Sequence, residues 1–132
     1  MNKVLVDTSV WIDFLNGKNN KSTRILTKLI QDDVRVVLCP TIIQEILQGI
    51  SEDKSFKEVK ENLSGFEVLP LDGVLAAYGA ATLYREIRKK GVTIQKSNDC
   101  LIAFYAIHHK VTLLHKDKDF DLIARHSSLR VF

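Results

Sequence analysis

The sequence predicts an α/β fold with a central parallel sheet, and two observations predict it. Short β-rich runs alternate with longer helical ones from one end of the chain to the other. The β-rich runs are continuously apolar rather than alternating, the pattern of strands buried on both faces of a parallel sheet.

In chain order, "KVLV" (3–6) is the first strand, and it runs straight into Asp7. "SVWIDFLNG" (9–17) follows as a helix with Gly17 as its stop. "KSTRILTKLIQD" (21–32) places Ile25, Leu26, Leu29 and Ile30 at helical spacing. "VRVVLC" (34–39) is the second strand, and "TIIQEILQGI" (41–50) is a helix starting after Pro40. "SEDKSFKEVKENLSG" (51–65) is a charged, solvent-facing helix, and "FEVLPL" (66–71) is the third strand. "DGVLAAYGAATLYREIRKKG" (72–91) is the longest helix. "SNDCLIAFYAIHHK" (97–110) opens with capping-type residues. "VTLL" (111–114), "KDFDLIARH" (118–126) and "LRVF" (129–132) complete the pattern as strand, helix and strand.

The 132 residues show no repeat, low-complexity tract or Pro/Gly-rich linker, so residues 1–132 are expected to form one domain. A chain of this size buries roughly 65–70% of its unfolded surface. Hydrophobic content of 45% and charged content of 27% exclude a disordered chain. A net charge of +3 permits an anionic partner without requiring one. Cys39 and Cys100 are too few for a disulfide framework and suit a reducing cytoplasm. Asp7 and Asp13 interrupt the opening apolar run, which therefore does not read as a signal peptide. No apolar stretch approaches the roughly 18 residues of a membrane span, so no membrane role is expected.

Right-handed crossovers put every strand's carboxyl end on one edge of the sheet, where ligands bind. The acidic residues gather there. Asp7 directly follows the first strand, and Asp117 and Asp119 follow "VTLL". Glu45 lies in the helix after the second strand, flanked by Ile42, Ile43, Ile46 and Leu47, and Asp99 lies in the first turn of 97–110. Taken singly, each has an ordinary explanation: an N-cap, a helix-dipole partner or a polar turn. Together they form a cluster of like charges that cannot all stay ionised unless a cation joins them. Mg²⁺ or Mn²⁺ suits such oxygen ligands and keeps waters of its own. A metal-activated water and a neutralised phosphate oxygen suit phosphodiester hydrolysis. Thr8 and Ser9 offer hydroxyls to orient a ligand or water.

Four segments, "VDTSVWIDFL", "PTIIQEILQGI", "REIRKKG" leading into "NDCLIAFYA", and "LLHKDKDF", occur in an order that resembles PIN domains. The likeness is in particular to the VapC-like ribonuclease toxins of bacterial and archaeal toxin–antitoxin pairs, and it covers essentially the whole chain. It implies a three-layer α/β/α sandwich with a five-stranded parallel sheet of order 3-2-1-4-5. It implies that Asp7, Glu45, Asp99 and Asp117 are the catalytic acidic quartet, with Asp7 and Asp99 as direct metal ligands. Glu45 and Asp117 would hold waters or a second metal. Asp119 remains an alternative fourth acid, less favoured because it can open the following helix with Phe120. Family members usually carry Thr or Ser two positions before the fourth acid. Here that position is His115, which is able to contact phosphate instead.

The resemblance further implies a homodimer, an RNA substrate and a cognate antitoxin whose tail occupies the cleft. Arg85, Arg88 and Lys89 at one helix end, with Lys96, Lys116 and Lys118, form a basic flank that either complements the helix dipole or steers phosphates. No zinc-type spacing is present. Cys39 and Cys100 read as small core residues, and Trp11 and Phe14 as core or interface packing. The expected function is a metal-dependent endoribonuclease toxin. The alternatives are a housekeeping PIN-type nuclease, a haloacid-dehalogenase-like phosphatase and a phospho-receiver module. The phosphatase wants a second Asp at position 9, where Ser9 stands, and the receiver offers only Asp72 as acceptor after a middle strand.

Overall fold

The computed structural model describes residues 2–132. Four strands form one sheet: β1 (Lys3–Val6), β2 (Arg35–Leu38), β3 (Glu67–Val68) and β4 (Thr112–Leu114). Their order is β3-β2-β1-β4, and every pairing is parallel. Leu5 sits opposite Val37 on one side and Leu113 on the other. Consecutive strand residues Val4, Leu5 and Val6 are all buried, as are Val36, Val37 and Leu38. Both faces of the sheet are therefore covered, which is why these runs are unalternating in the sequence.

The helices are α1 (Thr8–Leu15), α2 (Lys21–Gln31), α3 (Pro40–Gln48), α4 (Asp53–Leu63), α5 (Gly73–Lys89), α6 (Ser97–His109) and α7 (Lys118–Arg125). They contribute Val10, Leu26, Ile42, Ile46, Ile87, Ile102, Phe120 and Ile123 to the core. Trp11 belongs there too: it is 2% exposed, and its ring meets Phe14 and Phe66 edge-on at 6.0 and 5.3 Å. Gly17 takes a φ of +74° just past α1, the left-handed conformation its position after a helix requires. Gly79 lies where α5 and α6 press together; a Cβ there would stand 2.2 Å from the Phe104 ring.

The expected strands 34–39 and 111–114 lose only end residues, while two others are cut down much further. The run 66–71 yields only Glu67–Val68, because Pro70 has no N–H to extend the ladder, which closes with Leu69 N donating to Leu38 O at 2.8 Å. The expected fifth strand, 129–132, is an isolated parallel bridge between Val131 and Leu113. It lies against β4, where a fifth strand of order 3-2-1-4-5 would lie. Its hydrogen bonds are limited to one residue of β4: Leu113 N donates to Arg130 O and Phe132 N donates to Leu113 O. A single bridge does not make a strand, so among the described residues the sheet has four strands.

The chain visits β1, β2 and β3 in one direction and then returns to the other side of β1 for β4. The reversal of strand order falls at β1 and β4, and their carboxyl ends form the crevice that such sheets offer to ligands. Asp7 N donates to Leu114 O at 2.9 Å, so Asp7 and the end of β4 stand side by side at that rim.

Candidate metal centre

The site is assembled from three helix starts and one helix interior. Asp7 caps α1: its Oδ2 accepts from Ser9 N at 3.3 Å and from Ser9 Oγ at 2.7 Å. Asp117 caps α7 and accepts from Asp119 N at 3.0 Å through Oδ1. Asp7 is thus the N-cap that its sequence position allowed, and Asp117, which the sequence offered as a polar turn, is an N-cap as well. The polar start of α6 behaves differently. Lys96 occupies the N-cap position without a side-chain bond, so Asn98 and Asp99 are not caps. They are free to turn to the site, where Asn98 Nδ2 donates to Glu45 Oε2 at 3.2 Å.

Asp99, Asp117 and Asp119 each bring an oxygen to within 4.8 Å of the other two. Asp7 and Glu45 lie outside that trio but beside it. The negative charge of Asp7 acts on Asp99, and that of Glu45 acts on Asp7. Glu45 is held by Thr8, whose Oγ1 donates to Oε1 at 2.6 Å. Asp117 and Asp119 thus both stand at Asp99, and the choice between them as fourth acid does not separate two places. Asn98 was not singled out from sequence. Its signal is its position next to Asp99 in the first turn of α6, which puts it opposite Glu45 once α3 and α6 pack.

The electrostatics are those of an acidic cluster that Lys96 compensates only in part. Burial, then the charges of Asp7 and Asp117, push the Asp99 carboxyl up to about 7. Asp7 is also raised, chiefly by burial, against the lowering effect of its bonds from Ser9. At Asp117 burial acts upward, but the Asp119 amide and Lys96 outweigh it and the carboxyl ends below its usual range. Lys96 Nζ lies 3.2 Å from Asp117 Oδ2, and this contact raises its ammonium. Asp99 Oδ2 is fully buried and has no hydrogen-bond partner among the described residues. A buried, unpartnered carboxylate oxygen among other carboxylate oxygens is the donor set a hard divalent cation takes. The residues present fit Mg²⁺ or Mn²⁺.

A cleft of about 610 Å³ opens at Asp117 and Asp119, lined also by Ser9, Lys96, Lys116 and Lys118, while Asp7 and Asp99 lie buried behind that lining. A second cavity, also about 610 Å³, lies at the amino ends of the strands and contains no Asp or Glu among its described lining residues. Of the two, the first is the one that two of the sequence-predicted acids line. Arg85, Arg88 and Lys89 are exposed near the end of α5, with Arg88 Nη1 donating to Thr93 Oγ1 at 3.2 Å, and Thr93 lines the cleft. His115 does not face the cleft as a free ring. Its Nδ1 accepts from Asp117 N at 3.2 Å, its Nε2 lies 3.3 Å from Asp121 Oδ1, and its side chain is 5% exposed. Lys116 is committed to Asp13 through an ion pair. Burial pushes the thiols of Cys39 up to about 12 and of Cys100 to about 11, so neither is a thiolate ligand near neutral pH.

A PIN-domain family model matches residues 4–126. This chain belongs to the PIN-domain family. It is 33% identical over 128 residues to VapC ribonuclease Mb1587 of Mycobacterium bovis and to ribonuclease VapC11 of Mycobacterium tuberculosis, covering 96% of each chain. Its fold is shared by VapBC2 from Rickettsia felis, solved bound to a DNA fragment from its promoter, with a TM-score of 0.76, 22% identity and 98% of this chain covered. DNA-bound VapBC from Salmonella typhimurium gives a TM-score of 0.72 at 19% identity. Family membership sets aside the phosphatase and receiver alternatives. Among the described residues, no helix is long and apolar enough to cross a membrane.

Proposed function

We propose that residues 1–132 form a single nuclease domain that hydrolyses RNA phosphodiesters with Mg²⁺ or Mn²⁺, as the toxin of a toxin–antitoxin pair in the cytoplasm. The observation that carries this reading is the buried, unpartnered Asp99 Oδ2 beside the oxygens of Asp117 and Asp119, with Asp7 adjacent at the sheet reversal. Asp99, Asp117 and Asp119, together with Asp7, would hold the ion. When bound, it would supply an activated water and neutralise charge on a phosphate oxygen.

The remaining work falls to the chain itself. Ser9 orients Asp7 through two hydrogen bonds to one oxygen. Thr8 and Asn98 fix both oxygens of Glu45, which leaves Glu45 able to accept a hydrogen bond from a water beside Asp7. Lys96 pairs with Asp117 while RNA is absent and offers an ammonium to phosphate when RNA arrives. Arg85, Arg88 and Lys89 steer the polyanion to a cleft whose floor is acidic. Two partner assignments draw on the relatives and the surface. Solved neighbours are VapBC pairs, which supports a cognate antitoxin. Val74, Leu75 and Tyr78 form an exposed apolar stripe on α5, which suits a homodimer face.

The test is cleavage of total RNA by the purified chain with added Mg²⁺ or Mn²⁺, and growth after brief induction. Asp7→Asn and Asp99→Asn are each expected to cut cleavage by at least about 100-fold and to abolish growth arrest, with folding retained. Full activity in either variant refutes the reading.

A further inference from the structure

We propose that the Asp13–Lys116 ion pair is a positioning device that holds Asp117 and the start of α7 against Asp99, so that divalent-ion affinity depends on a contact outside the acidic cluster. The inference rests on the metal-dependent reading above. Asp13 lies on α1, the helix that Asp7 caps, and is 4% exposed. A buried carboxylate needs partners, and this one has three. Lys116 Nζ donates to its Oδ2, Asn20 Nδ2 donates to the same oxygen at 2.9 Å, and Lys18 Nζ stands 3.7 Å from Oδ1. Asn20 is itself fixed, since it forms the capping box of α2 with Thr23.

The Lys116 contact spans 103 residues of sequence and joins the start of the fold to the loop after β4. That loop ends on Asp117, with Asp119 following in the first turn of α7, and it is gripped from two sides. His115 is drawn inward: it accepts from Asp117 N, approaches Asp121, and its ring lies 5.4 Å from that of Phe120. Lys116 is drawn the other way, onto α1. The two residues preceding Asp117 are therefore both anchored, and one anchor is on the helix whose cap is Asp7. The pair links the two halves of the site across the β1–β4 reversal. Outer partners of this kind fix the orientation of metal-binding carboxylates. Lys116 thus acts through Asp117 rather than as an RNA contact.

The two roles predict opposite signs. A cation that merely sits near an acidic site weakens divalent binding by repulsion, so its removal tightens binding. A cation that positions the loop strengthens binding, so its removal loosens it. The experiment is a Mn²⁺ titration of the full chain without RNA, followed by electron paramagnetic resonance of the free ion, with thermal melting in parallel. Lys116→Met is expected to bind Mn²⁺ roughly 10-fold more weakly. Lys116→Arg, which keeps the pair, is expected to match the wild type. Unchanged or tighter Mn²⁺ binding by folded Lys116→Met overturns the positioning role and leaves the nuclease reading standing. Should Lys116→Met fail to fold, Asp13→Asn carries the same expectation, and unchanged affinity there overturns the role equally. A wild type that binds no Mn²⁺, or binds it as well with Asp99→Asn, overturns the metal reading and this inference with it.

Discussion

Asp99 is the residue whose state depends most on what occupies the site. Its carboxyl, ordinarily near 3.8, is pushed to about 7 by burial and by Asp7 and Asp117. Between those values the folded protein binds a proton at Asp99 that the unfolded chain does not. The resulting stabilisation is complete at acid pH below the ordinary value and is lost as pH rises through about 7. Relative to Asp99→Asn, metal-free protein is therefore expected to lose resistance to urea between pH 4 and pH 7. Adding Mn²⁺ at pH 8 should stabilise the wild type more than Asp99→Asn. Urea midpoints measured across this range check it, and equal slopes in the two proteins would contradict it. The sequence placed Asp7, Glu45, Asp99, Asp117 and Asp119 at one rim from their positions after strands and in first turns. It did not expose the roles of His115 and Lys116, because both depend on partners distant in sequence or on rotamers set by packing.

At the scale of elements, helix starts build the site. α1 and α7 begin with Asp caps, and α6 begins with an acid that is not a cap. Short elements can do this because the sheet sets where each helix begins, while core contacts such as Ile102 and Phe120 hold it there. The α5–α6 contact shows how tightly the helix carrying Asp99 is held. Gly79 leaves no room for a side chain against Phe104. Gly79→Leu is expected to destabilise the protein by about 1–3 kcal/mol, read from urea unfolding, through overpacking that its better helix propensity does not offset. A neutral result would mean that Phe104 swings aside freely. The strand ends were the least readable elements. Pro70 truncates β3, and the 129–132 run finds only Leu113 as a partner, an outcome decided by the geometry of the β4 edge.

Over the whole molecule the charge distribution matters more than its sum of +3. An acidic floor lies within a cleft edged by Lys96, Lys116 and Lys118, with Arg85, Arg88 and Lys89 exposed at the end of α5. Under the proposed reading, this arrangement would let a polyanion approach while the reacting phosphate met carboxylates and the ion they would hold. If Arg85, Arg88 and Lys89 each touch a phosphate, replacing all three with Ala lowers the slope of log affinity against log salt by about 2 for single-stranded RNA. Metal affinity measured without RNA should stay at the wild-type value. An unchanged salt slope would show that the patch serves only the α5 dipole.

The sequence by itself determined the layered α/β plan, the parallel strands and the rim where acids collect. These follow from periodicity and local chemistry, which need no knowledge of distant neighbours. Only the tertiary structure decided which acid oxygen is left without a partner, that Asn98 and Thr8 share Glu45, and that Lys116 belongs to Asp13. Those outcomes depend on side chains brought together from segments far apart in the chain, and a pattern along one strand of sequence carries no distance across the fold.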